Sequence, residues 1–130
     1  MIVKLDILQT QTLTIAAIDL YSNDPLQVGA GEEYQFYCDW HQAWKDAWIT
    51  TTPDGYFNVL GWLIGMRVKH TKCFCLCGVY DEDDSTGFAI GSDKTIITQQ
   101  TGLISFFAND VMGHYANNSG SIQLEITRLK

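Results

Sequence analysis

Apolar and polar residues alternate with a period of two along much of this chain, and no helical periodicity is sustained. Between Ser121 and Ile126, residues Ile122, Leu124 and Ile126 fall on one face of an extended strand, with polar residues between them. Tyr34 to Trp40 reads as a strand too, with Tyr34, Phe36, Tyr37 and Trp40 set around Cys38. Weaker alternation predicts strands over Val3–Leu8 and Leu13–Leu20. Cys73–Tyr80 reads as a buried strand, and Phe88–Ile90, Thr95–Thr98, Leu103–Asn109 and Ser121–Leu129 complete the set. Turn signals separate these runs, among them Asn23-Asp24-Pro25, Gly29-Ala30-Gly31 and Pro53-Asp54-Gly55. About eight short strands with regular turns predict an all-β, antiparallel β-sandwich.

Two stretches resist this pattern. His41–Asp54 places Trp40, Trp44 and Trp48 at helical spacing but ends in β-branched residues and a turn, so it reads as a long aromatic loop with at most one helical turn. Trp40 is expected to roof the core, while Trp44 and Trp48 are better placed to line a site. Tyr56–Val68 is apolar with Gly61 and Gly65, which suggests strand or bend rather than helix. Asp81–Asp84 is an acidic run expected at a solvated hairpin tip.

The chain has 130 residues, enough for one domain, 1–130, with a proper core. A net charge of −7 disfavours nucleic acid and anionic membrane surfaces as partners. No apolar stretch suggests membrane insertion, and Met1–Thr14 lacks the apolar region of a leader. Cytoplasmic synthesis without a signal peptide is the expectation, and later release to the cell surface or medium is compatible with it. The Cys73-x-Cys75-x-Cys77 run would point to one face of a strand, which suits buried thiols better than a tetrahedral zinc site.

Asn109–Gly120 carries the candidate chemistry. Asn109, Asp110, Asn117, Asn118 and Ser119 supply side-chain oxygens, and Gly113 and Gly120 permit tight folding around them. A hard cation such as calcium takes six to eight such oxygens. The alternating acids and closing Glu of an EF-hand are missing, and an ordinary turn-rich loop would share much of this composition. Nucleophile elbows, phosphate loops and zinc-protease helices are absent, and the three histidines are scattered. No carboxylate pair is singled out for glycoside cleavage. The sequence therefore favours binding over catalysis.

The stretch Phe106–Ser121 resembles the calcium-and-sugar loop of the PA-IL-like galactophilic bacterial lectins, whose pattern runs roughly Asn-Asp-Val-Pro-Gly-Thr-Tyr-Gly-Asn-Asn-Ser-Gly. Met112, His114 and Ala116 stand where that pattern has Pro, Thr and Gly. The likeness extends more faintly back to Cys73 and over Gly31–Trp44. It implies a jelly-roll sandwich of galactose-binding-domain type, a Ca2+ ion, galactosides or related glycans as partners, no catalysis, and a homo-oligomer, dimer or tetramer. Carried across residue by residue, it implies metal binding by the Asp110 carboxylate, the His114 and Trp44 main-chain carbonyls, and the Asn117 and Asn118 side chains. Sugar contacts would fall to Asp110, Val111, Asn117 and Trp44. The family's His and Gln for the sugar's outer hydroxyl have no counterpart in Pro53–Gly61, where Asn58 is the only amide that can stand in. The alternative reading is a structural or protein-interaction sandwich that keeps the calcium loop with altered or lost sugar binding.

Overall fold

Strand-forming residues pair over most of the chain because their apolar faces have only each other to cover them. The protein is described by a computed structural model spanning residues 1–130. Its strands are β1 (Thr10–Ala16), β2 (Leu26–Val28), β3 (Glu33–Tyr37), β4 (Trp44–Asp46), β5 (Ile49–Thr51), β6 (Leu76–Tyr80), β7 (Asp83–Ala89), β8 (Asp93–Ile97), β9 (Gly102–Ala108), β10 (Asn118–Ser119) and β11 (Ser121–Arg128). One short helix, α1 (Val59–Ile64), and a 3-10 turn over Tyr115–Asn117 interrupt them.

All strand pairs are antiparallel and form two four-stranded sheets, β1-β11-β3-β8 and β2-β9-β6-β7, with a small third sheet, β10-β4-β5. The expected β-sandwich is what forms. Its core lies between the large sheets: Leu13, Ile15, Ile122, Leu124 and Ile126 from one meet Leu26, Leu76, Ile104 and Phe106 from the other. Phe36 and Phe106 touch edge to face across the gap, with ring centres 5.6 Å apart. β11 keeps the alternation read from its sequence, with Ile122, Leu124 and Ile126 inside. No helix is long and apolar enough to cross a membrane.

Strand β6 is buried along its whole length, on both faces. Its second face carries a smaller cluster of Val68, Cys75, Cys77, Val79 and Phe107. Arg67 roofs this cluster, with its guanidinium carbon 3.5 Å from the Phe107 ring centre. It pairs with Asp84 at 2.9 Å and donates to the Leu20 carbonyl and the Tyr115 hydroxyl.

Several local expectations change. Val3–Leu8 forms only a parallel bridge from Val3 to Leu26, since Leu5 packs into the core without a strand partner. The second strand runs Thr10–Ala16, ahead of the expected Leu13–Leu20, because its register is set by β11. His41–Asp54 contains the hairpin β4–β5, closed by Ala47-Trp48 with Ala47 in the left-handed region. Tyr56–Val68 holds helix α1, which Asn58 caps by accepting from the Gly61 amide. Trp40 is exposed and stacks on His41 instead of covering the core. The cysteine run is buried and free, as the core-thiol reading requires. Yet it does not share one face, because Phe74 adopts φ 62° and sends Cys73 to the main core while Cys75 and Cys77 join the other cluster.

The acidic run Asp81–Asp84 does form the exposed β6–β7 tip, with Asp81 and Glu82 both left-handed.

Candidate functional site

Strand β9 ends at Ala108, and the chain leaves it as the oxygen-rich loop. Two residues at that exit have opposite tasks. Asn109 is fully buried and turns away from the loop. Its Oδ1 accepts from the Val68 amide at 2.9 Å, and its Nδ2 donates to the carbonyls of Val68, Thr71 and Lys72. Asn109 is thus a clamp that ties segment 66–72 to the end of β9. With its oxygen so committed, it is no ligand.

Asp110 faces the other way. Its Oδ1 accepts from the Val111 amide at 2.7 Å and its Oδ2 from the Asn118 Nδ2 at 3.2 Å. Burial pushes the Asp110 carboxyl above its ordinary value, and the neighbouring charge of Asp46 adds to this, while the two hydrogen bonds pull the other way.

Asn118 is brought there by β10, which pairs with β4 so that Asn118 lies opposite Asp46. Its amide also donates to the Ala17 carbonyl at 3.1 Å. Its Oδ1 is buried with no hydrogen-bond partner. A buried carbonyl oxygen left unmatched costs about 1–3 kcal/mol, so its acceptor capacity calls for a partner.

Asp46, Cys73 and Asp110 place one potential ligand atom each within 4.8 Å of one another. The Tyr56 hydroxyl donates to the Asp46 Oδ2. Tyr56 and Cys73 form an isolated β-bridge that closes the loop carrying α1. Gly55, at φ 78°, precedes this bridge; a Cβ there would run into the Cys73 carbonyl and the Cys75 amide. Gly120, at φ 83°, similarly lets the end of the loop pass the main chain of Trp44.

The donor set fits a hard cation. Two carboxylates stand side by side with only neutral donors around them, next to an unmatched amide oxygen. The thiol is the member that does not match. Burial pushes the Cys73 thiol up to about 12, which keeps it protonated and neutral at ordinary pH.

Of the residues picked out by sequence, Asp110 and Asn118 come together here. Asn117 and His114 lie exposed beside them, and the Asn117 carbonyl accepts from the Ala47 amide. Val111 packs against the core. The Trp44 ring is buried, donates from Nε1 to the Phe74 carbonyl and packs edge-on against Phe74, so only its main chain is left to face a ligand. The Asn58 oxygen is engaged in capping α1. Trp48, by contrast, is 87% exposed at the β4–β5 tip, next to the contact between Ala47 and Asn117.

Sequence reasoning missed Asp46 and Cys73. They come from segments far from the loop, and a three-residue strand leaves little local signal. The two-residue turn Ala47-Trp48 that sets Asp46 opposite Ile49 carries none of the Asn-Gly or Asp-Gly signal of such hairpins, so it offered no cue either.

No protein-family model matches this chain. No curated protein matches it by sequence either. Among solved structures, the chain is similar to the N-terminal domain of EclA, described as a PllA-like lectin, with a TM-score of 0.66 and 17% identity over 90% of this chain and 94% of that one. At that identity the likeness is one of fold: this chain has the β-sandwich of a PllA-like lectin domain.

Proposed function

We propose that the protein is a non-catalytic, calcium-dependent lectin that binds galactose-type terminal sugars at the Asp110–Asn118 loop. One observation carries the reading. Asp46, Asp110 and the unmatched Oδ1 of Asn118 gather at the loop end of a lectin-type sandwich. The description of the similar domain as a lectin supports it, and so does the loop's resemblance to the galactophilic pattern.

A bound calcium ion would supply open coordination positions for two vicinal sugar hydroxyls. The chain's own residues do the rest. The Val111 amide and the Asn118 Nδ2 fix both oxygens of the Asp110 carboxylate, so little ordering is left to complete on binding. The Ala17 carbonyl holds the Asn118 amide in place. Tyr56 orients the Asp46 carboxylate. The exposed Trp48 ring offers a flat apolar surface for the face of a sugar. With Asn58 engaged in its helix cap, sugar preference rests on the hydroxyl pair and this ring more than on an outer amide.

The test is a calorimetric titration of methyl galactoside into the protein, with calcium present and after chelation. Heat in the first arm only is expected. Equal heats in both arms, or none in either, overturn the proposal for galactose. A glycan array that is blank for all sugars, with thermal stability still dependent on calcium, would instead assign the loop a structural role.

A further inference from the structure

Helix α1 exposes nearly everything it has. Its sequence, Val59-Leu60-Gly61-Trp62-Leu63-Ile64, is wholly apolar, yet the only buried residue is Gly61. Phe57 just before it is exposed as well, and the six large side chains of this segment are 51–72% accessible. Six turnless residues of this kind cannot hold a helix by propensity alone. The Asn58 cap and the Gly65 amide bonding back to Gly61 keep the helix in shape, and no packing rewards its side chains.

The surface beside the helix is hollow. Two clefts, of about 340 and 270 Å³, flank Trp62, and both are walled by Met66 and His70. The same patch therefore holds apolar knobs and, beside them, hollows whose floors at Trp62 and Met66 are apolar and whose edges are polar. A two-fold interface requires this of a single surface, because each copy must be both knob and hole to the other.

The area agrees. The six side chains expose on the order of 700 Å², more than the largest apolar patch of a typical monomer and close to the roughly 800 Å² per partner of a stable interface. Charge points the same way. The chain carries −7 overall, and this segment is a stretch without acids, so two acidic molecules repel least when they meet here. Its rim cations are Lys69 and Lys72, too few on an acidic protein to make a basic membrane anchor.

We propose that α1 and its flanking clefts form the two-fold interface of a homodimer, with Leu60 and Leu63 of each copy seated beside Trp62 of the other. The interface stands independently of any ion or sugar at the loop.

The test is analytical ultracentrifugation of the wild type, Leu60→Glu and Leu63→Glu, all in chelator so that the metal site plays no part. Both leucines are exposed, so the variants keep the fold, which circular dichroism and melting verify. The wild type is expected at twice the 14.6 kDa chain mass. Each variant is expected to dissociate with a dimer Kd weakened at least about tenfold, as for a central interface residue. A wild type that stays monomeric at every concentration overturns the proposal, as does a dimer that neither substitution weakens. A monomer that floats with neutral phosphatidylcholine vesicles also overturns it and assigns the patch to lipid.

Discussion

Replacing Asn109 with Ala separates the clamp from the site it adjoins. The side chain is fully buried and engages four main-chain groups of segment 66–72: the Val68 amide at 2.9 Å and the carbonyls of Val68, Lys72 and Thr71 at 3.0, 3.2 and 3.4 Å. Truncation leaves the Val68 amide without a partner at a cost of about 1–3 kcal/mol, and the two shorter carbonyl bonds add about 0.5–1.5 kcal/mol each. Water entering the vacated space recovers part of this, so a net loss of about 2–4 kcal/mol is expected. For a domain of this size each kcal/mol shifts Tm by about 4 °C, giving a fall of roughly 8–15 °C. The comparison is Asn117→Ala, an exposed side chain in the same loop, expected to stay within about 0.5 kcal/mol. Differential scanning calorimetry of the two variants in chelator gives the answer. Equal melting temperatures for both would refute the assignment of Asn109 as a clamp.

Three further outcomes follow from the same geometry. Arg67→Ala removes a guanidinium paired with Asp84 and bonded to Leu20 and Tyr115 above Phe107; a loss of about 2–4 kcal/mol in urea denaturation is expected, and a change under about 1 kcal/mol contradicts the structure. Gly55→Ala combines positive φ with a clash against the Cys73 carbonyl, so it should cost about 2 kcal/mol or more and weaken calcium binding; wild-type values in both assays would count against the closeness of this contact. Asp110 has its carboxyl raised by burial, so its proton favours the folded state. Its contribution is fully present below its unfolded value, near about 3.9, and is lost as pH rises through the higher folded value. In chelator, the stability of the wild type relative to Asp110→Ala should therefore fall as pH rises from the acid range; a rising difference would show the carboxyl to be depressed.

The sheets were legible because alternation is a local signal that burial enforces. Ile122, Leu124 and Ile126 had one face to offer, and β11 sits at the centre of its sheet pairing with both β1 and β3. Asp81–Asp83 at the tip were equally plain, since unpaired charge stays in water, whereas Asp84 turned inward to pair with Arg67. Helix α1 was not legible, because Gly61 and Gly65 in an apolar stretch read as strand or bend, and the outcome turned on one cap at Asn58.

The site was half legible. Asp110 and Asn118 announce themselves as oxygens in one loop. The separation of Asn109 from them depends on which way a buried amide turns, and that is fixed by the 66–72 segment. Asp46 and Cys73 arrive through the β4–β10 pairing and the Tyr56–Cys73 bridge, contacts that no local pattern encodes. Trp44 shows the same limit in reverse. Its spacing suggested a binding surface, but the ring found a donor partner in the Phe74 carbonyl and went inside.

Under the proposed function this cluster holds a cation through protein oxygens. A crystal structure of the protein grown with calcium tests it most directly. An anomalous peak is expected about 2.3–2.6 Å from the carboxylate of Asp110 and from the Oδ1 of Asn118, the buried oxygen that otherwise has no partner. A peak ligated by other residues, or none at this loop with calcium in excess, would contradict it.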